Sequence, residues 1–270
     1  MSNLDLRLGD STEILKTIAD ESVDLVVTSP PYDNLRTYEG SLKWDFDVFK
    51  GIANELARVL KKGGVIVWVV GDSTIKGSET GSSFRQALYF KDECGLNLHD
   101  TMIWNKNNFT AVGALKTRYS PVFEYMFVLS KGSPKSFNPL KDRKNISFGR
   151  KTSGTIRQQN GTSKPINKIG VSISEYGQRH NVWIQPPEMT RNNSHPAPYP
   201  CKLAEDHIIS WSNEGDTILD PFMGSGTTGL ACKNMDRNFI GIEKVEEYYN
   251  LSKERLKEHT EDSSGYENNC

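Results

Sequence analysis

The strongest constraint on the fold is the alternation of short apolar runs with longer segments of helical periodicity. Residues 65–70 form a continuous run of five β-branched residues and one tryptophan, which is typical of a buried strand. Residues 46–60, just before it, carry apolar side chains at helical spacing. The same alternation recurs along the chain, and it predicts an α/β fold with a mainly parallel sheet. Further strands are predicted over 4–8, 23–28, 101–104, 125–129, 217–219 and 239–242, and further helices from Asp10, over 82–94 and 203–211, from Leu230, and over 245–258.

Composition excludes several classes of protein. The chain has 270 residues, of which 36% are hydrophobic and 25% charged, so it is long enough to bury a core. No apolar stretch approaches the roughly 20 residues of a membrane span. Asp5, Arg7 and Asp10 stand where a signal peptide needs an apolar segment, so we expect no export and a cytoplasmic protein. The four cysteines lack metal-site spacing, which predicts no metal centre and reduced thiols.

Positive charge is concentrated in one stretch, although the whole chain has a net charge of −1. Residues 131–170 contain ten Lys and Arg side chains but one acidic residue, Asp142, and they show no sustained periodicity. A solvated loop would have this character. An insert that faces nucleic-acid phosphates, with amide side chains able to contact base edges, would have it too.

A glycine-rich loop follows the strand predicted at 217–219. Gly224, Gly226 and Gly229 have the spacing of a dinucleotide-binding fingerprint, and Glu243 ends the next predicted strand. In that fingerprint glycines allow the backbone to approach a ligand, and the acidic residue holds ribose hydroxyls. The pattern is compatible with a nicotinamide dehydrogenase, with any adenosine cofactor, and with a tight turn that binds nothing.

A second motif lies directly after the strand predicted at 23–28. It reads Ser29-Pro30-Pro31-Tyr32, and the two prolines must turn the chain out of the sheet at the strand's carboxyl end. Ligands of open α/β sheets bind at that edge. A hydroxyl, proline carbonyls and an aromatic ring together suit a planar heteroaromatic amine.

Together these motifs resemble those of the β-type amino-directed DNA methyltransferases, in which the catalytic motif precedes the cofactor loop. The resemblance implies an S-adenosylmethionine-dependent methyltransferase fold, Rossmann-like with helices on both faces of the sheet, in permuted order with a basic recognition insert. It implies a catalytic half at 1–135, a target-recognition insert at 136–182 and a cofactor-binding half at 183–260. The polar composition of residues 261–270 predicts a disordered tail. Similar elements occur at 8–10, 23–27, 29–32, 58–64, 104–106, 123–125, 195–200 with Leu203, 220–228 and 240–243.

The resemblance also implies roles for individual residues. S-adenosylmethionine would be the methyl donor, with Asp10 on its adenine amine and Glu243 on its ribose. Ser29 Oγ and the Pro30 carbonyl would accept the hydrogens of the target amine, and Tyr32 would stack on the flipped base. The catalytic set is Ser29, Pro30, Pro31 and Tyr32; the cofactor set is Asp10, Asp220, Pro221, Phe222, Gly224, Ser225, Gly226, Thr227, Thr228 and Glu243.

The implied partner is double-stranded DNA, and no membrane is expected. A cognate restriction endonuclease and a monomeric or homodimeric state both stay open, as does a bacterial, archaeal or phage origin. Cytosine N4 is favoured over adenine N6, because Ser29 stands where adenine-directed relatives usually carry Asp or Asn. The block His195-Pro196-Ala197-Pro198-Tyr199-Pro200 also favours cytosine N4, because it resembles the form that commonly accompanies a Ser-Pro-Pro-Tyr motif.

Other classes fit less of the sequence. A nicotinamide oxidoreductase leaves the Ser29-Pro30-Pro31-Tyr32 motif unexplained, and an RNA or protein-glutamine methyltransferase does not need the basic insert. A non-catalytic DNA-binding module needs neither motif. A cytosine-C5 methyltransferase needs a cysteine nucleophile, and Pro200-Cys201 supplies the right dipeptide, but it lies in the block that precedes a predicted helix.

Overall fold

The computed structural model describes residues 2–31, 44–107, 116–187 and 199–258, and these residues form an eight-stranded sheet with flanking helices. In chain order the elements are β1 (Leu4–Leu8), α1 (Ser11–Ile14), β2 (Val23–Thr28), α2 (Phe46–Val59), β3 (Leu60–Val70), β4 (Thr74–Ile75), β5 (Ser78–Glu79), α3 (Ser82–Asp92), β6 (Asn97–Asn105), β7 (Phe123–Ser130), β8 (Arg143–Lys144), β9 (Thr155–Arg157), β10 (Ser163–Pro165), β11 (Tyr176–Gly177), β12 (Val182–Ile184), α4 (Cys201–Trp211), β13 (Thr217–Asp220), α5 (Thr227–Asn234), β14 (Asn238–Glu243) and α6 (Glu246–Glu258).

The sheet is mainly parallel, which confirms the prediction from the alternating pattern. Its strand order is β1-β14-β13-β2-β3-β7-β6-β12. The first five strands are parallel to one another, β7 is antiparallel to both of its neighbours, and β12 is parallel to β6. The β1–β2 half of the chain and the β13–β14 half therefore share one sheet.

Strand β2 is the switch point of this topology. The chain runs from β2 to β3 on one side and, much later, returns to place β13 on the other side. In register, Leu25 lies opposite Ile218 and Val26 opposite Leu219. The segments that follow β2 and β13 consequently leave the same edge of the sheet side by side, where open α/β sheets bind ligands.

The core is built where α2 and α3 pack near β3. Asp45 caps α2 by accepting hydrogen bonds from the N–H groups of Asp47 and Val48, and the helix buries one apolar face. Within that core, the Phe49 ring meets the rings of Trp68 and Phe90 edge-on, with centroids 5.8 and 5.3 Å apart. The buried residues of α2 are Phe49, Ile52, Ala53, Leu56 and Val59.

Strand β3 begins earlier than the run of β-branched residues predicts. It starts at Leu60, the last residue of the segment with helical spacing, and passes through the two lysines and two glycines that follow. The reason is backbone pairing with the segment after β7: the Gly63 N–H donates to the Lys131 carbonyl at 2.7 Å, and the Lys131 N–H donates to the Gly64 carbonyl at 3.1 Å. These partners lie about 70 residues away, so local sequence does not reveal them.

The chain contains two compact units. The larger comprises the described residues up to Asn138 and from Asn181 onward, and the smaller is Pro139–His180. The smaller unit holds two short antiparallel pairs, β8 with β11 and β9 with β10. None of residues 139–180, all of which the structure describes, is buried.

Two negative findings apply to the described ranges. Across them, no helix is long and apolar enough to cross a membrane. The same residues contain no group of three or more His, Cys, Asp or Glu side chains arranged to hold a metal ion.

Two glycines provide a test of the packing around the sheet. A Cβ on Gly241 in β14 would meet the Met223 sulfur and would lie 2.5 Å from the Phe239 ring, whereas a Cβ on Gly51 in α2 would meet nothing within 4 Å. We expect Gly241→Ala to lower the free energy of unfolding by about 1–3 kcal/mol through overpacking. Gly51→Ala should raise it by about 0.5–1 kcal/mol, since alanine is the better helix former. Urea unfolding measures both, and equal stability of the two variants would contradict this packing.

Candidate active site

The Ser29-Pro30-Pro31 turn lies at the carboxyl end of β2. Thr28, the last strand residue, is fully buried, Ser29 and Pro31 are half-buried, and Pro30 is buried. The strand stops here because proline has no N–H to donate to a neighbouring strand. Tyr32, the fourth member of the motif, lies outside the described residues, as do His195 and Pro198 from the block before α4.

The Asp220 carboxylate connects this turn to the glycine loop. Oδ1 accepts hydrogen bonds from the Thr28 hydroxyl at 2.7 Å and from the Phe222 N–H at 3.0 Å. Oδ2 accepts from the Thr228 hydroxyl at 2.6 Å and from the Tyr199 hydroxyl at 3.5 Å. One side chain thus holds the end of β2, the glycine loop, the first turn of α5 and the segment before α4.

Burial governs the electrostatics of this group. Asp220 is 1% exposed, and burial raises the pKa of its carboxyl even though the surrounding hydrogen bonds act to lower it. Burial, and next the charge of Asp220, raise the pKa of the Tyr199 hydroxyl well above its ordinary value. A buried carboxylate is costly unless its oxygens are hydrogen-bonded, and here the four donors meet that need.

The glycine loop requires glycine for conformation and for packing. Gly224 and Gly226 have φ values of 51° and 82°, in the left-handed region that side chains other than glycine rarely adopt. A Cβ on Gly226 would lie 2.9 Å from the Cβ of Ser252 in α6. The fold alone therefore explains why Gly226 is a glycine. This agrees with the interpretation of the motif as a tight turn.

The remaining loop residues are fixed by neighbouring elements. The Pro221 carbonyl accepts a hydrogen bond of 2.5 Å from the buried Ser11 hydroxyl of α1. Ser225 and Thr227 are buried, and the Arg255 guanidinium donates to the Ser225 carbonyl at 3.1 Å. These contacts give the loop a defined position without a ligand.

Phe222 belongs to an aromatic cluster beside the loop. Its ring meets the rings of Trp44 and Trp68 edge-on, with centroids 5.4 and 6.3 Å apart. Phe222 and Trp44 both pack against the core, and Trp68 is fully buried within it. Trp44 is thus accounted for as a core-packing residue.

Two further carboxylates lie at the ends of β1 and β14. Leu8 is paired with Glu243, and the Gly9 N–H donates to the Glu243 carbonyl at 2.8 Å, so Asp10 follows directly beside Glu243. Glu243 Oε2 accepts from the Gly224 N–H at 3.0 Å and Oε1 from the Val245 N–H at 2.8 Å. Burial raises the pKa of the Glu243 carboxyl, although these backbone donors act to lower it.

Asp10 caps α1, as the sequence predicts. Its Oδ1 accepts from the Thr12 N–H at 2.9 Å, and its Oδ2 pairs with the Lys244 ammonium at 2.8 Å. Burial acts to raise the pKa of the Asp10 carboxyl, but hydrogen bonds from Lys244 and Thr12 hold it below its ordinary value. The cap occupies one oxygen and leaves the carboxylate ionised.

These carboxylate acceptors fit an adenosine-containing cofactor. A carboxylate offers about four acceptor positions, so Glu243 keeps acceptor capacity for ribose hydroxyls beyond the backbone hydrogen bonds it accepts from Gly224, Val245 and Lys244. Asp10 supplies a second ionised carboxylate from the adjacent strand end. The glycine loop, which follows the neighbouring strand β13, is held in place by its own contacts, so binding need not order it.

Sequence reasoning missed several residues that the structure brings to this region. Thr28 and Tyr199 bind Asp220, although only their places within motifs could have drawn attention to them. Lys106 forms an ion pair with Glu124, and both side chains are largely buried. The Lys106 ammonium also lies 5.0 Å from the centroid of the Trp104 ring. Thr28 could have been found from the sequence, because it is a polar residue at the end of an otherwise apolar strand.

The cysteines differ from the expectation in one respect. Cys94 and Cys232 are free thiols, but Cys201 is disulfide-bonded, so the prediction of reduced thiols is wrong there. Cysteine pairing depends on proximity in the fold, and sequence spacing does not reveal it. Cys201, at the first position of α4, is 2% exposed and disulfide-bonded, so its thiol is not available as the nucleophile that a cytosine-C5 methyltransferase needs.

Comparison with known proteins identifies the class to which this fold and site belong. A family model described as "DNA methylase", which covers N6- and N4-directed enzymes, matches residues 23–254. The chain therefore belongs to the amino-directed DNA methyltransferase family, it uses S-adenosylmethionine, and the resemblance read from its motifs is confirmed. The structure of the M1.HpyAVI complex with S-adenosylmethionine is similar, with a TM-score of 0.64 and 27% identity over 94% of this chain and 98% of that one.

Individual relatives cover nearly the whole chain. The orphan methyltransferase M.BamHII of Bacillus amyloliquefaciens is 50% identical over 250 residues, 90% of this chain and 91% of its own. The type II methyltransferase M.PvuII of Proteus hauseri is 30% identical over 277 residues, 92% of this chain and 82% of its own. The fold of the PvuII DNA methyltransferase, described as cytosine-N4-specific, matches with a TM-score of 0.68 at 23% identity over 95% of this chain and 87% of that one.

The role of Thr28 can be tested with two substitutions. Thr28→Val keeps the shape of the side chain but removes the hydroxyl that donates to Asp220. We expect it to lower the free energy of unfolding by about 1–3 kcal/mol, because a buried carboxylate oxygen loses a donor. Thr28→Ser keeps the donor and should restore most of the loss in urea unfolding. If both variants lose the same stability, packing and not the hydrogen bond would be the cause.

Proposed function

We propose that this protein methylates the N4 amine of a cytosine that is flipped out of double-stranded DNA, with S-adenosylmethionine as methyl donor. The observation that carries the proposal is the shared anchor of the two motifs. The Ser29-Pro30-Pro31 turn and the glycine loop leave adjacent strand ends, and Asp220 binds both segments.

Ser29 and Pro30 act on the amine. Its lone pair is delocalised into the ring, so it is a poor nucleophile until its hydrogens are held out of the ring plane. The Ser29 Oγ and the Pro30 carbonyl would accept those hydrogens, which would free the lone pair to form the new nitrogen–carbon bond as the methyl–sulfur bond of the donor breaks. The donor would leave as the neutral thioether S-adenosylhomocysteine, and the methylated nitrogen would lose one proton to solvent. Pro31 keeps the turn rigid. Holding reactants in near-attack geometry lowers a barrier by roughly 7–11 kcal/mol in the best cases.

The base must leave the duplex to reach this turn, which costs a few kcal/mol and calls for a stacking partner. We assign that partner as Tyr32. S-adenosylmethionine supplies the activated methyl group. Glu243 holds its ribose, Asp10 its adenine amine, and the loop around its methionine part consists of Asp220, Pro221, Phe222, Gly224, Ser225, Gly226, Thr227 and Thr228. Within that loop Asp220 acts by keeping the catalytic turn in register with the cofactor.

Cytosine is the preferred target for two reasons. The turn carries Ser29, which is shorter than the acidic or amide residue usual in adenine-directed relatives and carries no charge. The sequence of M.PvuII is 30% identical to this chain, and the PvuII DNA methyltransferase is described as cytosine-N4-specific. Adenine N6 is the second candidate, because a small shift of the turn would admit a purine.

Residues 136–182 form the target-recognition insert in this proposal, with residues 1–135 and 183–260 as the catalytic and cofactor-binding halves. The +7 charge of Pro139–His180, from nine Lys and Arg and two acidic residues, supports contact with phosphates. The name of M.BamHII as an orphan methyltransferase supports a solitary enzyme without a cognate endonuclease.

The product identifies the reaction. Purified enzyme with labelled S-adenosylmethionine is offered duplex DNA, RNA and protein side by side, and methylated DNA is digested to nucleosides for mass spectrometry. We expect label in DNA alone, as N4-methylcytosine. Ser29→Ala should reduce the rate by about 100-fold or more, since it removes an acceptor that acts on the reacting amine. N6-methyladenine as the sole product would refute the cytosine assignment, and label in RNA or protein alone would refute the substrate class.

Cofactor binding has its own test. Glu243→Gln removes the charge that strengthens hydrogen bonds to hydroxyl groups, so we expect S-adenosylmethionine to bind about 10-fold more weakly in calorimetry. Glu246→Gln, an exposed acidic residue three positions later in α6, is the matched control and should bind as the parent does. Unchanged affinity in a folded Glu243→Gln protein would exclude Glu243 as a cofactor ligand.

A further inference from the structure

We propose that Ile146 and Phe148, at the tip of a basic turn in the smaller unit, contact DNA bases through their apolar side chains and so contribute to the choice of site. This inference rests on the proposed function, in which duplex DNA is the substrate. It adds a form of recognition that the positive charge of the insert does not supply.

The turn is held firmly at its base. The Asn145 N–H donates to the Glu175 carbonyl at 2.8 Å, and its side-chain amide donates to the Ser174 carbonyl at 3.0 Å. The Gly149 N–H donates to the Ile173 carbonyl at 3.0 Å. Both ends of the turn are thus anchored to residues 173–175, so its tip is preformed. Binding then does not incur the entropic cost of ordering it.

The apolar side chains at this tip have no place in a core. Ile146 is 104% exposed and Phe148 is 59% exposed. No residue of Pro139–His180 is buried, so the unit offers these two side chains nothing apolar to pack into. Apolar side chains displayed together on a surface mark interaction sites, because their hydration is costly.

The surrounding charge identifies the partner as nucleic acid. Arg143, Lys144, Arg150 and Lys151 flank the tip on both sides, and all four are exposed. The nearby Asp142 carboxylate is paired with Arg179, so it offsets little of this charge. Cations on either side of an apolar tip match a groove of duplex DNA, with phosphates along both edges and base edges on its floor.

An apolar tip can contact the floor of the groove in two ways. It can pack against a thymine methyl group in the major groove, or it can insert between base steps from the minor groove. Neither contact neutralises a phosphate, so neither releases counterions. The contribution of Ile146 and Phe148 should therefore be independent of salt, unlike that of the flanking lysines and arginines.

Salt dependence separates the two kinds of contact. Fluorescence anisotropy measures binding of the full-length protein to a duplex with its methylation site and to a scrambled duplex, over a range of salt concentrations. We expect the double variant I146A/F148A to bind the site duplex about 10-fold more weakly, with an unchanged slope of log K against log salt and little change on the scrambled duplex. The conservative pair I146V/F148L should recover most of the affinity.

Two controls define the comparison. Lys144→Ala should weaken binding to both duplexes alike and flatten the slope by about 0.9. Leu88→Ala truncates an aliphatic side chain that is 50% exposed on α3, outside the smaller unit, and should change neither affinity nor slope. Because Ile146 and Phe148 are exposed, thermal unfolding and S-adenosylmethionine binding should match those of the parent.

The outcomes are distinguishable from a failure of the proposed function. If the parent methylates DNA but I146A/F148A binds the site duplex as tightly as the parent, the inference is wrong. It is equally wrong if the double variant weakens both duplexes alike or flattens the salt slope. If the parent neither binds nor methylates any duplex, the proposed function itself fails, and this inference fails with it.

Discussion

The hydrogen bonds to the Asp220 carboxylate are the interaction on which the functional region depends. Four donors from four segments meet on one buried side chain, and two of those segments carry the motifs that define the family. A carboxylate inside a protein is tolerated only when its oxygens are satisfied, so the donors and the acceptor constrain one another. The end of β2 and the start of the glycine loop are consequently fixed in relative position, which is what transfer between two bound molecules requires.

This contact is possible because of the order of strands. Residues Thr28 and Asp220 are 192 positions apart, yet they end neighbouring parallel strands, since the chain returns to place β13 beside β2. The carboxylates of Asp10 and Glu243 meet in the same way at the ends of β1 and β14. One edge of the sheet thus collects the Ser29-Pro30-Pro31 turn, the glycine loop and the two carboxylates from three separate stretches of chain.

The two units differ in what stabilises them. The larger has a continuous apolar core around β2, β3 and α2, whereas residues 139–180 contain no buried residue and rely on short strand pairs and turns. A segment of this kind gains little from hydrophobic burial on its own. Its sequence is therefore free to carry the exposed cations and apolar groups that a partner surface needs, while the core keeps the chemistry in place.

The sequence by itself determined the identity of most elements and of the family. The six helices and most of the longer strands follow from the sequence with bounds close to those observed, because periodicity and capping at residues such as Asp10 are local properties. The motif residues and the basic stretch were also visible, since residue type and spacing suffice to find them. The tertiary structure alone decided which groups satisfy Asp220, why position 226 must be glycine, and that β3 begins at Leu60. Each of those features depends on a partner distant in sequence, whose position is set only when the strands pair and the helices pack.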